Sequence, residues 1–180
     1  VSPCSTATAT VNVEVKPIPD AGIDAVANIC SNKDPIDLYT FLGGTPQLGG
    51  TWTPALASGS GLFNPAVDLA GQYTYTITGI LPCIDDTAII TVTIIPGPDA
   101  GQPGNAIFCL NNTPEDLFTF LNGTPQVGGT WSPALVSGTG VFNPLVDLAG
   151  VYTYTFLGNQ PCDDDTATVT VTVNPIPDAG

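Results

Sequence analysis

The sequence ATVTVTV at residues 167–173 indicates a half-buried β-strand. Ala167 and three valines occupy every second position, and threonines fill the positions between them. Successive side chains of a strand point to opposite faces, so this period of two places an apolar row on one face and a polar row on the other. The stretch 88–94 repeats the pattern, with apolar residues at Ala88, Ile90, Val92 and Ile94. The two stretches predict the final strands of an all-β fold.

A spacing of 79 residues relates these two stretches and recurs along the whole chain. The same spacing relates Cys30 to Cys109, Trp52 to Trp131, Tyr73 to Tyr152 and Cys83 to Cys162. Self-similarity at a fixed period is the signature of a tandem array. We therefore predict two whole repeats, 23–101 and 102–180, and assign residues 1–22 to the C-terminal part of a preceding repeat.

Other stretches of each repeat also predict strands. Tyr and Thr alternate at 73–77 and at 152–156, and shorter candidate strands lie at 38–42, 50–53 and 61–63. Gly-Gly, Thr-Pro and Asn-Pro turn signals separate them. Six or seven short strands in 79 residues predict a small antiparallel sandwich of immunoglobulin-like type.

Four aromatic residues are predicted core members. Tyr73 and Tyr152 each follow a glycine turn at the start of a late strand, which is the arrangement of a tyrosine corner. Trp52 and Trp131 lie on a short strand, where a sandwich would bury the indole against its disulfide. The alternative interpretation of the two indoles is an exposed platform on which sugars stack.

The charge balance excludes several classes of function. The net charge is −14, with 16 acidic residues, no histidine, and Lys16 and Lys33 as the only basic side chains. Nucleic-acid binding requires clustered basic residues, so we exclude it. No apolar run approaches the 18 residues of a membrane span. The adjacent acids at 85–86 and 163–165 lack a histidine or arginine partner, so we expect no catalytic residue and no enzyme.

Five cysteines leave the disulfide pairing open. Pairing within each repeat joins Cys30 to Cys83 and Cys109 to Cys162, and leaves Cys4 unpaired. The alternative joins Cys4 to Cys30 and Cys83 to Cys109. We favour the first, because closing a long loop stabilises a small core by about 3 to 4 kcal/mol. Either pairing predicts an oxidising, extracellular location.

The connector Pro-x-Pro-Asp-Ala-Gly occurs at 17–22, 96–101 and 175–180. Its two prolines restrict the backbone, so we expect a stiff link and a rod of successive repeats. Its aspartates are candidate calcium ligands together with loop carboxylates, because calcium binds six to eight oxygens. These aspartates are Asp20, Asp99 and Asp178. The alternative is that the acidic loops are only solvated, and no other cofactor is expected.

The combined motifs resemble a known family. In the second repeat they are Pro98–Gly101, Cys109, Leu117–Pro125, Gly128–Trp131, Gly150–Thr155, Pro161–Ala167 and Thr170–Val173. This combination resembles the immunoglobulin-like or PKD-like tandem repeats of large cell-surface proteins in Bacteroidota, especially flavobacteria. The resemblance implies a non-catalytic shaft repeat of an extracellular fibre or adhesin. The alternative function is a carbohydrate- or calcium-dependent binding module of a secreted surface protein.

The resemblance also implies partners and a modification. Asp-Thr-Ala at Thr87 and at Thr166 is similar to the O-glycosylation signal of Bacteroidota, whereas Thr8 follows Ala7 and lacks the aspartate. We therefore expect glycans on Thr87 and Thr166. The expected partners are neighbouring repeats of the same chain, other copies packed laterally in a filament, and glycans.

Overall fold

The computed structural model describes residues 4–59, 61–138 and 140–177, and strands dominate its regular structure. Two short 3-10 helices, Leu38–Phe41 and Leu117–Phe120, accompany the strands. The strands are β1 (Ala25–Cys30), β2 (Thr51–Thr53), β3 (Gly71–Ile77), β4 (Asp86–Ile95), β5 (Gly104–Cys109), β6 (Glu115–Asp116), β7 (Thr130–Ser132), β8 (Val141–Phe142), β9 (Gly150–Phe156) and β10 (Asp165–Asn174). The prediction of an all-β protein is confirmed.

Contacts divide the chain into two compact units. The first unit contains residues 4–27, 37–63 and 71–92, and the second contains 28–36, 64–70 and 93–177. Most of the predicted repeat 23–101 lies in the first unit. Three segments of that repeat, 28–36, 64–70 and 93–101, belong to the second unit.

Two four-stranded sheets share one topology. The strand order is β1–β4–β3–β2 in one sheet and β5–β10–β9–β7 in the other. Strands β6 and β8 form a separate two-stranded pair. The equivalent order in both large sheets is the structural counterpart of the 79-residue period.

The pairing of β5 with β10 corrects the expectation of a wholly antiparallel fold. Strands β9 and β7 pair antiparallel to their neighbours, but β5 lies parallel to β10, with Gly104 opposite Val169 and Cys109 opposite Asn174. A parallel pair needs a long connection between its strands, and the chain between β5 and β10 supplies one.

The period-two pattern of the last strand is confirmed. In β10, Ala167, Val169 and Val171 are buried, and Thr170 is exposed. In β4, Ala88, Ile90 and Val92 are buried in the same way. The apolar face of each strand thus faces a core, as the alternation requires.

The core of the second unit lies between the β5–β10–β9–β7 sheet and a layer of short elements. Phe108 of β5 stacks on Phe142 of β8, with 5.0 Å between ring centroids, and Phe142 meets the edge of Tyr152. Leu117 of the 3-10 helix and Val169 of β10 are fully buried beside them. A sheet face and a 3-10 helix therefore share one core.

The first unit contains a smaller core cluster of similar make-up. Tyr75, Ile77 and Ala88 are buried together with Ala21 from the connector. Trp52 packs against this cluster. The connector is therefore part of the packed structure.

The candidate strand at 38–42 is instead a 3-10 helix. The side chain of Asp37 accepts a hydrogen bond from the backbone N–H of Tyr39, and the backbone N–H of Thr40 donates to the carbonyl of Asp37. These local bonds offer the backbone an alternative to a sheet ladder. The candidate strand at 61–63 has its equivalent at 140–142 in the second repeat. Of these two stretches, only the second contains a paired strand, Val141–Phe142.

A glycine explains why two of the motifs occur together. The backbone N–H of Gly129 donates to the hydroxyl of Tyr154 at 2.7 Å, and this hydroxyl donates to the carbonyl of Gln126 at 2.7 Å. A Cβ on Gly129 would lie 2.6 Å from the tyrosine ring and 2.4 Å from the carbonyl oxygen of Thr155. The Gly-Gly-Thr-Trp and Tyr-Thr-Tyr-Thr motifs therefore depend on each other.

The segment 4–20 forms neither helix nor strand and is largely exposed. Val11, Val13 and Val15 are all more than four-fifths exposed. The residues 79 positions after the first two are Ile90 and Val92, which are buried in β4. The segment thus has the sequence pattern of a last strand without forming one, and its assignment to a preceding repeat stays a prediction.

Candidate functional site

A disulfide joins Cys30 to Cys162 across 132 residues of sequence. Cys30 ends β1 and Cys162 lies three residues before β10, and both belong to the second unit. Their Cα atoms are 5.1 Å apart, within the range of an ordinary disulfide. The two residues are 0% and 3% exposed, so the bridge is sealed from solvent.

This bridge corrects the predicted pairing of Cys30 with Cys83 and of Cys109 with Cys162. Cys83 and Cys109 are half-buried free thiols, and Cys4 is an exposed free thiol. The alternative pairing of Cys4 with Cys30 and of Cys83 with Cys109 is not present either.

The parallel pairing of β5 with β10 gives the physical reason for the correction. Cys109 lies opposite Asn174 at the C-terminal end of β10, whereas Cys162 precedes the N-terminal end of that strand. A strand of ten residues spans about 33 Å. A disulfide requires Cα atoms closer than about 7 Å, so the two cysteines of one repeat cannot reach each other.

The turn that follows β1 contacts the chain on both sides of it, next to the bridge. The hydroxyl of Ser31 accepts a hydrogen bond from the backbone N–H of Gly97 at 2.9 Å. Lys33 forms an ion pair with Asp163 at 2.6 Å, next to the bridged Cys162. A Cβ on Gly97 would lie 3.0 Å from the side chain of Asn32. The turn therefore packs closely against the connector and against the loop before β10.

The connector is anchored by two carboxylates. The backbone N–H of Ala21 donates to Asp86 at 2.7 Å, and the backbone N–H of Gly22 donates to Asp20 at 2.9 Å. Gly22 has φ +92°, and a Cβ there would lie 2.7 Å from the carbonyl oxygen of Gly43, so only glycine fits. The second copy repeats both bonds, from Ala100 to Asp165 and from Gly101 to Asp99, each at 2.8 Å.

The candidate calcium ligands take part in this anchoring. Asp20 also accepts a hydrogen bond from Thr45 at 3.3 Å, and Asp99 accepts one from Thr124 at 2.9 Å. In 4–59, 61–138 and 140–177, no group of three or more acidic, cysteine or histidine side chains is arranged to hold a metal ion. Asp178 lies outside the described residues. The calcium site stays a prediction. The hydrogen bonds that Asp20 and Asp99 accept give these two side chains a structural role in the connector without a metal ion.

The predicted glycosylation sites are accessible. Thr87 and Thr166 are exposed at the second position of β4 and of β10. Strand β5 pairs only with residues 169–174 of β10, so it does not reach the level of Thr166. Thr8 is also exposed but lies outside any strand. Modification of Thr87 and Thr166 stays a prediction.

Trp52 and Trp131 are half-buried on the edge strands β2 and β7. Each indole packs on a tyrosine of the neighbouring strand, where a disulfide was expected. The ring centroids are 4.9 Å apart for Trp52 and Tyr75, and 5.1 Å apart for Trp131 and Tyr154. One indole face thus belongs to the core, and the other borders a cleft.

The clefts beside the two tryptophans differ in size. In the second unit, Trp131, Asp116 and Tyr154 line a cleft of about 450 Å³. In the first unit, Trp52 and Leu56 line one of about 230 Å³. The larger cleft combines an aromatic surface with a carboxylate.

The tyrosine corner predicted at Tyr152 is present. Its hydroxyl donates to the carbonyl of Leu148, four residues earlier, at 2.7 Å. Tyr152 and its equivalent Tyr73 are 4% and 5% exposed, so both rings lie in the core. Burial raises the pKa of Tyr152, and the nearby negative charge of Asp147 raises it further.

Asp147 is a buried carboxylate that fixes two loops. It accepts hydrogen bonds from the backbone N–H groups of Val136 at 2.6 Å and Asn143 at 2.8 Å, with a longer one from Ser137. Burial raises the pKa of a carboxyl, but these N–H donors outweigh it and hold the pKa of Asp147 below its ordinary value. The charge on Asp147 therefore stabilises the folded state.

We expect Asp147→Asn to lower the free energy of unfolding at pH 7, because an amide cannot accept at both of its polar atoms. The folded pKa of Asp147 lies below its unfolded value of about 3.9, so its contribution is present above that pH and is lost as the pH falls through the folded pKa. The variant should thus show a shallower loss of stability in acid. Urea unfolding at pH 7 and pH 3 measures this, with the exposed Asp34→Asn as the matched control. If wild type and Asp147→Asn lost the same amount of unfolding free energy between pH 7 and pH 3, the expectation would be contradicted.

Sequence reasoning missed the structural roles of Asp86, Asp165 and Asp147. Asp86 and Asp165 were noted as part of acidic loops and of a glycosylation signal, yet each holds the connector that precedes its repeat. In both repeats the aspartate lies 65 residues after the alanine whose N–H it accepts. This repeated spacing was the signal in the sequence that could have indicated the contact. The burial of Asp147 had no such signal, because polar residues in loops are usually exposed.

Comparisons with known proteins add little to this geometry. No protein-family model matches the chain, and no curated protein matches it. Among solved structures, the chain is similar to Drosophila N-cadherin EC1-3, with 14% identity and a TM-score of 0.25. The match covers 90% of this chain and 66% of that chain, so this chain spans slightly less than two thirds of its length. A likeness at this TM-score carries no argument about function. Within the described residues, no helix is long and apolar enough to cross a membrane.

Proposed function

We propose that this chain is a structural repeat of the shaft of an extracellular fibre or adhesin, and that it has no catalytic site. The observation that carries the proposal is the bridge between Cys30 and Cys162. Cys30 belongs to the predicted repeat 23–101, and Cys162 belongs to the repeat 102–180. The bond therefore links cysteines of successive repeats, which is what a load-bearing array needs.

The bridge provides a short covalent path along the chain. Tension applied to the two ends passes from Cys30 directly to Cys162, which are separated by 132 positions in the sequence, so the chain between them carries none of it. The connector at 96–101 lies inside this loop. It is further held by the bond from Ala100 to Asp165 at 2.8 Å. Extension of the connector is thus limited by both covalent and hydrogen bonds.

The location we propose is extracellular. A sealed disulfide forms and persists in oxidising compartments and is rare in the cytosol. The net charge of −14 favours hydration and disfavours association with other acidic surfaces. Exposed threonines on the final strands, such as Thr87 and Thr166, offer attachment points for glycans.

Single-molecule pulling on the chain ends tests the proposal. In the oxidised chain only the roughly 50 residues outside the bridge can extend, which gives about 170 Å. With a reductant the whole chain of 180 residues should extend to about 600 to 650 Å. The Cys30→Ser variant should extend to the longer value without reductant. Equal extension in both conditions would refute the mechanical role.

We also propose a second candidate function, carbohydrate binding at the cleft beside Trp131. This cleft has a volume of about 450 Å³ and presents an indole and the carboxylate of Asp116. An aromatic face combined with a polar acceptor suits a sugar ring, which has an apolar face and hydroxyl donors. Since Trp131 is only half-buried, part of its ring is available to a ligand.

We expect Trp131→Ala to destabilise the chain by about 2 kcal/mol, because a half-buried indole loses only part of the packing of a core tryptophan. Trp52→Ala is the matched control in the smaller cleft. Thermal unfolding and a glycan array measure the two properties. Wild-type binding to a glycan that Trp131→Ala abolishes and Trp52→Ala keeps would favour the second candidate over the shaft.

A further inference from the structure

The two half-buried free cysteines correspond to the two halves of the observed bridge. With the 79-residue spacing, Cys109 is the equivalent of Cys30, and Cys83 is the equivalent of Cys162. The bridged cysteines are sealed from solvent, whereas Cys83 and Cys109 are only half-buried. Each free thiol therefore lies at a position whose equivalent, 79 residues away, forms the observed disulfide.

The turn after Cys109 already has the conformation of the bridged turn. The backbone N–H of Asn112 donates to the carbonyl of Cys109 at 2.9 Å, as Lys33 donates to the carbonyl of Cys30 at 3.2 Å. A bond at Cys109 would thus require no refolding of its turn.

The loop that carries Cys83 is preformed in the same way. The backbone N–H of Cys83 donates to the carbonyl of Ile80 at 2.9 Å. The equivalent bond at the bridged loop runs from Cys162 to Asn159 at 2.8 Å. The chain around each free cysteine therefore forms the same backbone turn bond as the chain around its bridged equivalent.

The Cys83 loop also exposes an apolar surface. Leu81 and Ile84 are 86% and 83% exposed beside Cys83. Together with Ile18 and Pro19, Ile84 and Cys83 line a cleft of about 350 Å³ within the first unit. The loop of the bridged Cys162 instead has Gln160 and Asp163 at the positions of Leu81 and Ile84.

The turn after Cys109 carries no charged residue, which suits the apolar surface of the Cys83 loop. It carries Leu110 where the bridged turn has Ser31, and Asn112 where that turn has Lys33. The charge of Lys33 is paired with Asp163 in the bridged turn. The neutral turn after Cys109 therefore needs no charged partner on the Cys83 loop, whereas the Lys33 turn would find Ile84 there in place of Asp163.

We propose that Cys109 of one copy of this sequence forms a disulfide with Cys83 of the next copy. This inference rests on the proposed shaft function and extends it from one bridge to a series. Two copies in register are offset by two 79-residue periods, so this bond would span the same 132 residues as the observed bridge. Two thiols exchange with one molecule of glutathione disulfide, and the products are the protein disulfide and two molecules of glutathione, with no net change of protons.

The test uses the 180-residue chain with Cys4→Ser, so that the exposed thiol of Cys4 cannot compete. The chain is incubated with glutathione disulfide, and its bonds are mapped by non-reducing peptide mass spectrometry. We expect a ladder of oligomers joined through Cys109 and Cys83, with the Cys30–Cys162 bridge intact. Adding Cys83→Ser or Cys109→Ser should leave each variant monomeric. Mixing these two variants should give dimers and no longer species.

A second arm removes any obstruction by the exposed segment 4–20. In this arm residues 23–180 follow directly after residue 180, which places a second copy in register on one chain. The expected bond again joins Cys109 of the first copy to Cys83 of the second. A bond between Cys109 and Cys83 of different copies in either arm supports the proposal.

Other bonding patterns overturn the proposal. These are free Cys83 and Cys109 in both arms, bonds between like cysteines, and a bond between Cys83 and Cys109 of one copy. The shaft function fails separately, since its test is the extension of the chain with the Cys30–Cys162 bridge intact or reduced. An intact mechanical bridge with free Cys83 and Cys109 would reject this inference alone.

Discussion

The double variant Cys30→Ser/Cys162→Ser should lose about 4 to 5 kcal/mol of unfolding free energy, the largest effect expected for this chain. The bridge closes a loop of 132 residues, and the chain-entropy estimate grows with loop length. Because both sulfurs are sealed from solvent, the serines would also bury hydroxyls in place of the bond. Urea unfolding followed by tryptophan fluorescence measures the loss.

The matched control is Cys83→Ser/Cys109→Ser, which changes two half-buried thiols that have no disulfide in the chain. We expect this control to change the unfolding free energy by less than about 1 kcal/mol. An equal loss in both double variants would mean that cysteine packing, and not the bond, stabilises the protein.

Phe142→Ala should destabilise the second unit by about 3 to 5 kcal/mol. Its ring is fully buried, lies 5.0 Å from the ring of Phe108, and contacts the edge of Tyr152, so truncation would leave a cavity between the sheet and the opposite layer. Thermal unfolding should show a lower Tm.

Leu145→Ala is the control for this variant, because Leu145 is an exposed residue of the adjacent turn. It should change stability by less than about 0.5 kcal/mol. A similar Tm for Phe142→Ala and Leu145→Ala would show that the β8 strand does not contribute to the core.

The regular features of the fold could be predicted from local pattern. The alternation at 88–94 and 167–173 gave the buried faces of β4 and β10, since a period of two has one structural interpretation. The tyrosine corner at Tyr152 followed from a glycine turn at a fixed distance. The 3-10 helix at Leu38–Phe41 was missed, because an aspartate cap competes with strand formation in a short apolar run.

The disulfide could not be predicted because it depends on a non-local choice. Nothing in the residues of β5 says that it pairs parallel to β10, yet this pairing separates Cys109 from Cys162. Cysteine spacing alone allows every pairing, and the preference for a bridge within one repeat assumed that each unit is stapled separately. The anchoring of the connector by Asp86 and Asp165 was missed for the same reason, since each bond spans 65 residues.

The loop closed by the Cys30–Cys162 bridge has a consequence for proteolysis. A protease that cuts one peptide bond between these two cysteines would produce two fragments that remain joined by the disulfide. The exposed turns in this region, for example around Leu48 and Leu81, are the places where such a cut would fall. Since the loop of 132 residues is longer than the 79-residue period, a second bridge of this kind would overlap the first. Overlapping loops leave no peptide bond between successive bridges outside a loop, so one cut at any of these bonds would leave the two fragments joined.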